Sequence, residues 1–118
     1  MKLIKIEGGR INVYEPQLLT VGTTAVVSGQ ALTLSGGKLV RATGKPTFVA
    51  LADGAANTTI PVGRVESNQV YEVALPSGGV TVGNKYTLSS DGTGITTTTS
   101  DGVAEVVYAD STVAHVRF

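Results

Sequence analysis

The chain has 118 residues, 42% hydrophobic and 15% charged, with nine Lys+Arg against nine Asp+Glu and no Cys. It is too apolar for a disordered segment and long enough for one domain with its own core, and disulfide and thiolate chemistry are excluded. Zero formal net charge argues against a general nucleic-acid binder, which needs a basic excess to displace counterions, and against electrostatic attachment to anionic lipid.

Apolar residues recur with the period of two that marks strands. Lys2 to Glu7 alternates, with Leu3 out of phase. A charge returns every two or three positions there and no apolar h-region follows, so the segment reads as a strand and not as a signal peptide. No run approaches the roughly 20 apolar residues needed to cross a bilayer, and synthesis in the cytoplasm is expected. Ile11 and Val13, then Leu19 and Val21, continue the pattern past Pro16. Residues 25–27, 31–34 and 38–42 follow as short strands. Gly36-Gly37 stands between Leu32-Thr33-Leu34 and Leu39-Val40, a two-residue hairpin signal because glycine accepts positive φ at both turn positions.

Residues 47–52 are apolar on both phases and predict a central strand covered on both sides. Residues 60–66 and 69–75 are two strands joined as a hairpin by Ser67-Asn68, and Pro76-Ser77-Gly78-Gly79 is a turn. Residues 85–89, 95–99, 104–109 and 112–118 complete the series, and residues 53–59 hold at most one helical turn. The expectation is a single all-β domain over residues 1–118, a small sandwich or barrel of about ten short strands, with residues 1–16 either an N-terminal docking strand or arm or an ordinary first strand of the sheet. Ser28-Gly29-Gln30-Ala31-Leu32-Thr33-Leu34-Ser35 resembles Val82-Gly83-Asn84-Lys85-Tyr86-Thr87-Leu88-Ser89, and Val49 to Asp53 resembles Val106 to Asp110. A duplicated hairpin-plus-strand unit would build two halves of a barrel, although strands punctuated by Gly match one another easily.

Residues that carry chemistry are scattered. His115 is the only His and has no Cys or motif around it, so it reads as a surface residue of the last strand. Asp91, Asp101 and Asp110 would share a calcium ion only if their loops converge, and they lack the D-x-D-x-D-G spacing. Glu66 and Glu72 have the residue types of a glycosidase pair, but Arg64 or solvent is the plainer partner. Gly8-Gly9-Arg10 and Gly78-Gly79 lack the phosphate-loop context and read as turns. Residues 93–100 form a Thr-rich run that suits an exposed edge strand. Tyr14, Tyr71, Tyr86 and Tyr108 are the candidate stacking platforms for a sugar, but they are not clustered with basic residues. No catalytic residue, metal or cofactor is assigned, and the chain is not read as an enzyme.

Val27-Ser28-Gly29-Gln30-Ala31-Leu32-Thr33-Leu34, then Gly36-Gly37-Lys38-Leu39-Val40-Arg41-Ala42, then Thr47-Phe48-Val49-Ala50-Leu51-Ala52-Asp53, resemble the capsid decoration and head-fibre proteins of tailed bacteriophages, the lambda-type decoration proteins among them. The resemblance covers residues 21–75 best and 82–110 weakly. It implies a tulip-like β fold that docks on the outside of the shell, often at three-fold sites, binds the major capsid protein and resides in the virion. It also implies a homo-oligomer, with a trimer as the expectation. Lambda-type proteins carry a Pro-rich N-terminal arm, whereas Met1 to Glu15 is strand-like here. The capsid-facing candidates are therefore Lys2, Leu3, Ile4, Lys5, Ile6 and Arg10, which can bury apolar area and add a strand to a neighbour. The competing expectation is a carbohydrate-binding or adhesive module of a phage fibre or tail, which requires an exposed Tyr-lined groove.

Overall fold

The computed structural model describes residues 1–7 and 16–118. Among them run ten strands and no helix: β1 (Lys2–Ile6), β2 (Gln17–Thr20), β3 (Ala31–Ser35), β4 (Lys38–Arg41), β5 (Phe48–Ala50), β6 (Thr59–Arg64), β7 (Gln69–Ala74), β8 (Lys85–Tyr86), β9 (Ala104–Ala109) and β10 (Val113–Arg117). They form two antiparallel sheets, ordered β2-β6-β5-β3-β4 and β1-β7-β10-β9-β8. The expected all-β architecture is present. The expected turn at Gly8-Gly9, the strand through Ile11 and Val13, Arg10 and Tyr14 lie outside the described residues.

Local chemistry explains several elements. Gly36 and Gly37 take φ of 57° and 78°, and Ser35 pairs with Lys38 across the turn, so β3 and β4 form the expected tight hairpin. In β5 all three residues are buried. Phe48 and Ala50 face the core of their own sheet while Val49 joins the core of the other, as a strand apolar on both phases requires. The phase slip at Leu3 is a β-bulge: the β1–β7 register shifts between Leu3 and Lys5, so Leu3 packs inward and Ile4 is 39% exposed.

Three expectations are corrected. Residues 60–66 and 69–75 are consecutive strands but not hairpin partners. Both sides of β6 are already taken, by β2 and β5, so the chain crosses at Ser67-Asn68 to the other sheet, where β7 lies between β1 and β10. Residues 25–27 contribute only a bridge from Val26 to Gly54. Residues 95–99 return beside β8 with a bridge from Ile95 to Leu88 but no regular ladder. Thr87 N–H donates to Thr98 O (3.0 Å) while its O accepts from Thr96 (2.9 Å), which skips Thr97, and Thr98 N–H is taken by Thr96 Oγ1 at 3.0 Å.

The two sheets repeat one topology. Each half begins with a strand (β2 or β7), makes a hairpin (β3–β4, or β8 with residues 95–98), then lays down two more strands (β5–β6 or β9–β10). In both, the third of these elements lies outside the hairpin's first strand, and the opening strand pairs with the last. The registers coincide: Leu18↔Pro61 corresponds to Glu72↔His115, and Thr20↔Thr59 to Ala74↔Val113. Loop bonds coincide as well, such as Gly29 N–H to Ala50 O with Gly83 N–H to Val106 O, both 2.8 Å. The repeat therefore extends from the segment legible in sequence to five elements per half.

Each half encloses its own core at matching positions. Leu32, Phe48, Ala50, Ile60 and Val62 in the first correspond to Tyr86, Ala104, Val106, Ala114 and Val116 in the second. The volumes trade between cross-strand partners. Leu32 faces Phe48 in one half, and Tyr86 faces Ala104 in the other, so the aromatic ring moves strands while the space stays filled. The first sheet also closes on itself through a parallel bridge from Val21 to Leu39. A third cluster of Ala31, Ala42 and Leu88, with Met1, Val103 and Phe118 against it, seals the seam.

Candidate docking surface

β1 is an edge strand with β7 as its neighbour. Of the residues expected to face a partner, Lys2 and Lys5 are exposed, Ile4 projects at the bulge, and Ile6 and Leu3 are half-buried, Leu3 packing against the core of the second half. Neither Lys2 nor Lys5 has an ion-pair partner among the described residues. The exposed part of the strand is thus an isoleucine between two lysines, of which Lys2 stands opposite Glu72 in the β1–β7 register.

β1 is held from its start. The Met1 ammonium donates to Gly29 O at 2.6 Å and Thr93 O at 3.2 Å, which ties the strand to a loop of each half. Burial lowers the pKa of this amine against the raising influence of Asp91. Beside it, a cleft of about 830 Å³ separates β1 and β7 from the end of β5, with Lys2, Leu3, Val49, Leu51, Glu72 and Val73 among its walls.

Two rows of side chains lead away from the cleft at corresponding positions of the halves. In the first half, Leu18 pairs with Pro61, and Leu51 N–H donates to Pro61 O at 3.1 Å. Leu18 is 72% exposed, Leu51 39% exposed and Pro61 half-buried. In the second half the same row is Glu72, His115 and Tyr108. Glu72 Oε2 stands 3.5 Å from His115 Nε2, and the imidazole lies 4.8 Å from the Tyr108 ring centroid. Tyr108 Oη donates to Asp110 Oδ2 at 3.3 Å. His115 is thus on the polar face of the last strand, in company the sequence did not reveal.

The other candidates have local roles. Asp91 Oδ1 accepts from Ser89 Oγ (2.6 Å), Thr93 N–H (3.0 Å) and Thr93 Oγ1 (2.8 Å), which holds its carboxyl down at about 2. Asp110 is lowered by the Thr112 and Val113 N–H groups, which close its own turn. Among the described residues no group of three or more His, Cys, Asp or Glu is arranged to hold a metal. Glu66 meets Arg64 at 3.5 Å while Glu72 meets His115, so the two glutamates have separate partners. Arg117 bridges Glu105 (2.8 Å) and Glu7 (3.5 Å). Tyr71 and Tyr86 are core residues and Tyr108 is 48% exposed, so the described tyrosines line no common groove.

Compared with known protein families, curated proteins and solved structures, the chain matches none.

Proposed function

We propose that this protein is a capsid decoration protein of a tailed bacteriophage, which docks on the outer surface of the shell through the major capsid protein and stabilises it by many weak, repeated contacts. The observation that carries the reading is β1: an edge strand whose bulge presents Ile4 between Lys2 and Lys5. The sequence resemblance to decoration proteins supports the same assignment.

The form of the edge selects a mode of docking. Lysines and a bulge on an edge strand disfavour addition of another strand. Ile4 instead serves as an apolar knob, and the two ammonium groups favour a receiving pocket with an acidic rim. One such contact is weak. A shell offers it many times, and multiplicity turns weak contacts into retention. In this reading the protein works in the virion, with neighbouring copies brought together as trimers at the three-fold sites.

The test is uptake on expanded, undecorated heads of the virus that encodes the chain. Wild type is expected to bind stoichiometrically. Ile4→Asp, at an edge-strand side chain that is 39% exposed and with its melting temperature measured alongside to show that it is folded, is expected to lose most uptake. Equal uptake by both would remove β1 from the docking surface, and no uptake of wild type would remove the decoration reading.

A further inference from the structure

The contact that joins the halves is one-sided. The tip of the second hairpin, Asp91-Gly92-Thr93, lies on a bank of the first half formed by residues 28–31: Gly92 O accepts from Ala31 N–H and Asp91 O from Gln30 Nε2, both at 2.7 Å. Leu88, behind that tip, is 8% exposed because it packs with Ala31 and Ala42. Gly29, in the same bank, is covered by Met1, and a Cβ on Gly92 would meet Arg41 and Gln30. The repeat gives each of these parts a counterpart, and among the described residues the counterparts are bare. Leu34 stands where Leu88 does and is 43% exposed. Gly36 and Gly37 form the first tip, Gly83 stands where Gly29 does, and nothing lies within 4 Å of a Cβ on any of the three. Val82, at the head of the second bank, is 57% exposed. Each copy thus uses one tip and one bank and leaves one tip and one bank open.

We propose that the open tip of one copy docks on the open bank of a second copy, residues 34–37 on residues 82–85, and so repeats between chains the junction that joins the halves within one. The fold itself names the partner. The bank of the first half shows what such a bank receives, a hairpin tip with a leucine behind it, and the chain carries one more of these. Both open parts present an apolar side chain, Leu34 and Val82, and their mutual burial is favourable. Lys85 replaces Ala31, and its methylene chain offers contact to Leu34 while the ammonium stays in water. Lys38, the charge beside the tip, donates to Asn57 Oδ1 of its own copy at 3.1 Å. The first tip is shorter, with two residues between Ser35 and Lys38 against four between Ser89 and Gly94, so the junction between copies is weaker than the seam. It joins different surfaces of the two copies, head to tail, and therefore closes into a ring or grows. The proposal stands on the repeat and not on the decoration reading, which asks for copies in contact without saying by which surfaces.

Two variants, each spoiled on one side, test it in solution without heads. Sedimentation and amide NMR up to about 1 mM are expected to show wild type associating beyond a dimer, with concentration-dependent shifts at Gly36, Gly37, Gly83 and Lys85. Leu34→Asp spoils the tip and Val82→Asp the bank, and each is expected to weaken association at least about tenfold. Their melting temperatures, measured alongside, show that they are folded, and the wild-type shifts carry the test should either unfold. Mixed in equal amounts, the two variants are expected to give a dimer and nothing larger, since one still has a tip and the other a bank. Wild type that stays monomeric, shifts confined to other residues, folded variants that associate like wild type, or a mixture no more associated than its parts overturns the proposal. Wild type that decorates heads yet stays monomeric in solution overturns the head-to-tail contact and leaves decoration intact. Association that depends on Leu34 and Val82, with no uptake of wild type on heads, supports the contact and overturns decoration.

Discussion

The halves of this protein agree inside and differ outside. Leu32 facing Phe48 and Tyr86 facing Ala104 are two solutions to one packing problem, with equivalent neighbours in each core. The outer row shows no such exchange. Leu18, Pro61 and Leu51 are replaced by Glu72, His115 and Tyr108, and nothing in either core compensates. Interiors are close-packed, so a change at one core position constrains its partner; a surface row is free to diverge. The lesson is that the topology is indifferent to the row, which leaves the row free to differ between the halves while the cores stay matched.

Several experiments would break or sharpen this comparison. The largest effect is expected from Leu32→Ala, which opens a cavity in the first core and should cost about 2–5 kcal/mol. Because Val49 of the first half is part of the second core, chemical denaturation should still show one transition, shifted as a whole. Two separate transitions would mean that the halves are independent. Gly29→Ala comes next. Gly29 has φ of +84°, and an added Cβ would stand 2.8 Å from the Met1 nitrogen. The left-handed backbone alone costs about 1–2 kcal/mol, and NMR should show the Met1 end of β1 displaced from the seam.

A smaller effect is expected in acid, and it belongs to the second half. The first hairpin turns on two glycines, whereas the second turns on Asp91, held at about 2 against an ordinary value of 3.8 by Ser89 and Thr93. A carboxyl depressed in the folded state contributes stability that is fully present above 3.8 and is lost as pH falls through about 2. Asp91→Asn should flatten the stability profile between those values, as measured by melting temperature against pH. The smallest effect is expected from Leu18→Ser, at a side chain that is 72% exposed, within about 0.5 kcal/mol of wild type in denaturant unfolding.

Much of the fold was legible in the chain. Gly36-Gly37 announced its hairpin because glycine is the residue that tolerates positive φ at both positions, and residues 47–52 announced a strand buried on both faces. The Gly29 and Gly83 segments and the runs from Val49 and from Val106 were visible as a repeat, although the structure sets Ala50 and not Val49 against Val106; the remaining correspondence was hidden because matching core positions hold different residues, Phe48 against Ala104 for example. The crossing at Ser67-Asn68 was not legible, since a short turn between two strands looks the same whether they pair or part. Of the docking surface, the sequence showed Lys2, Ile4 and Lys5 but placed the apolar phase on Ile4; the bulge that turns Leu3 inward depends on register with Tyr71 and Val70. The cleft and the row of Leu18, Pro61 and Leu51 were invisible because they join residues far apart in the chain, the row coming from β2, β6 and the bend after β5, that only strand pairing brings together.

The account stands on surface complementarity presented by β1. Quantitative binding of labelled protein to expanded, undecorated heads, with wild type and Ile4→Asp run side by side, tests it most directly. Saturation by wild type with an affinity at least about tenfold above that of the variant is the predicted result; heads that take up neither protein, or both equally, would contradict it.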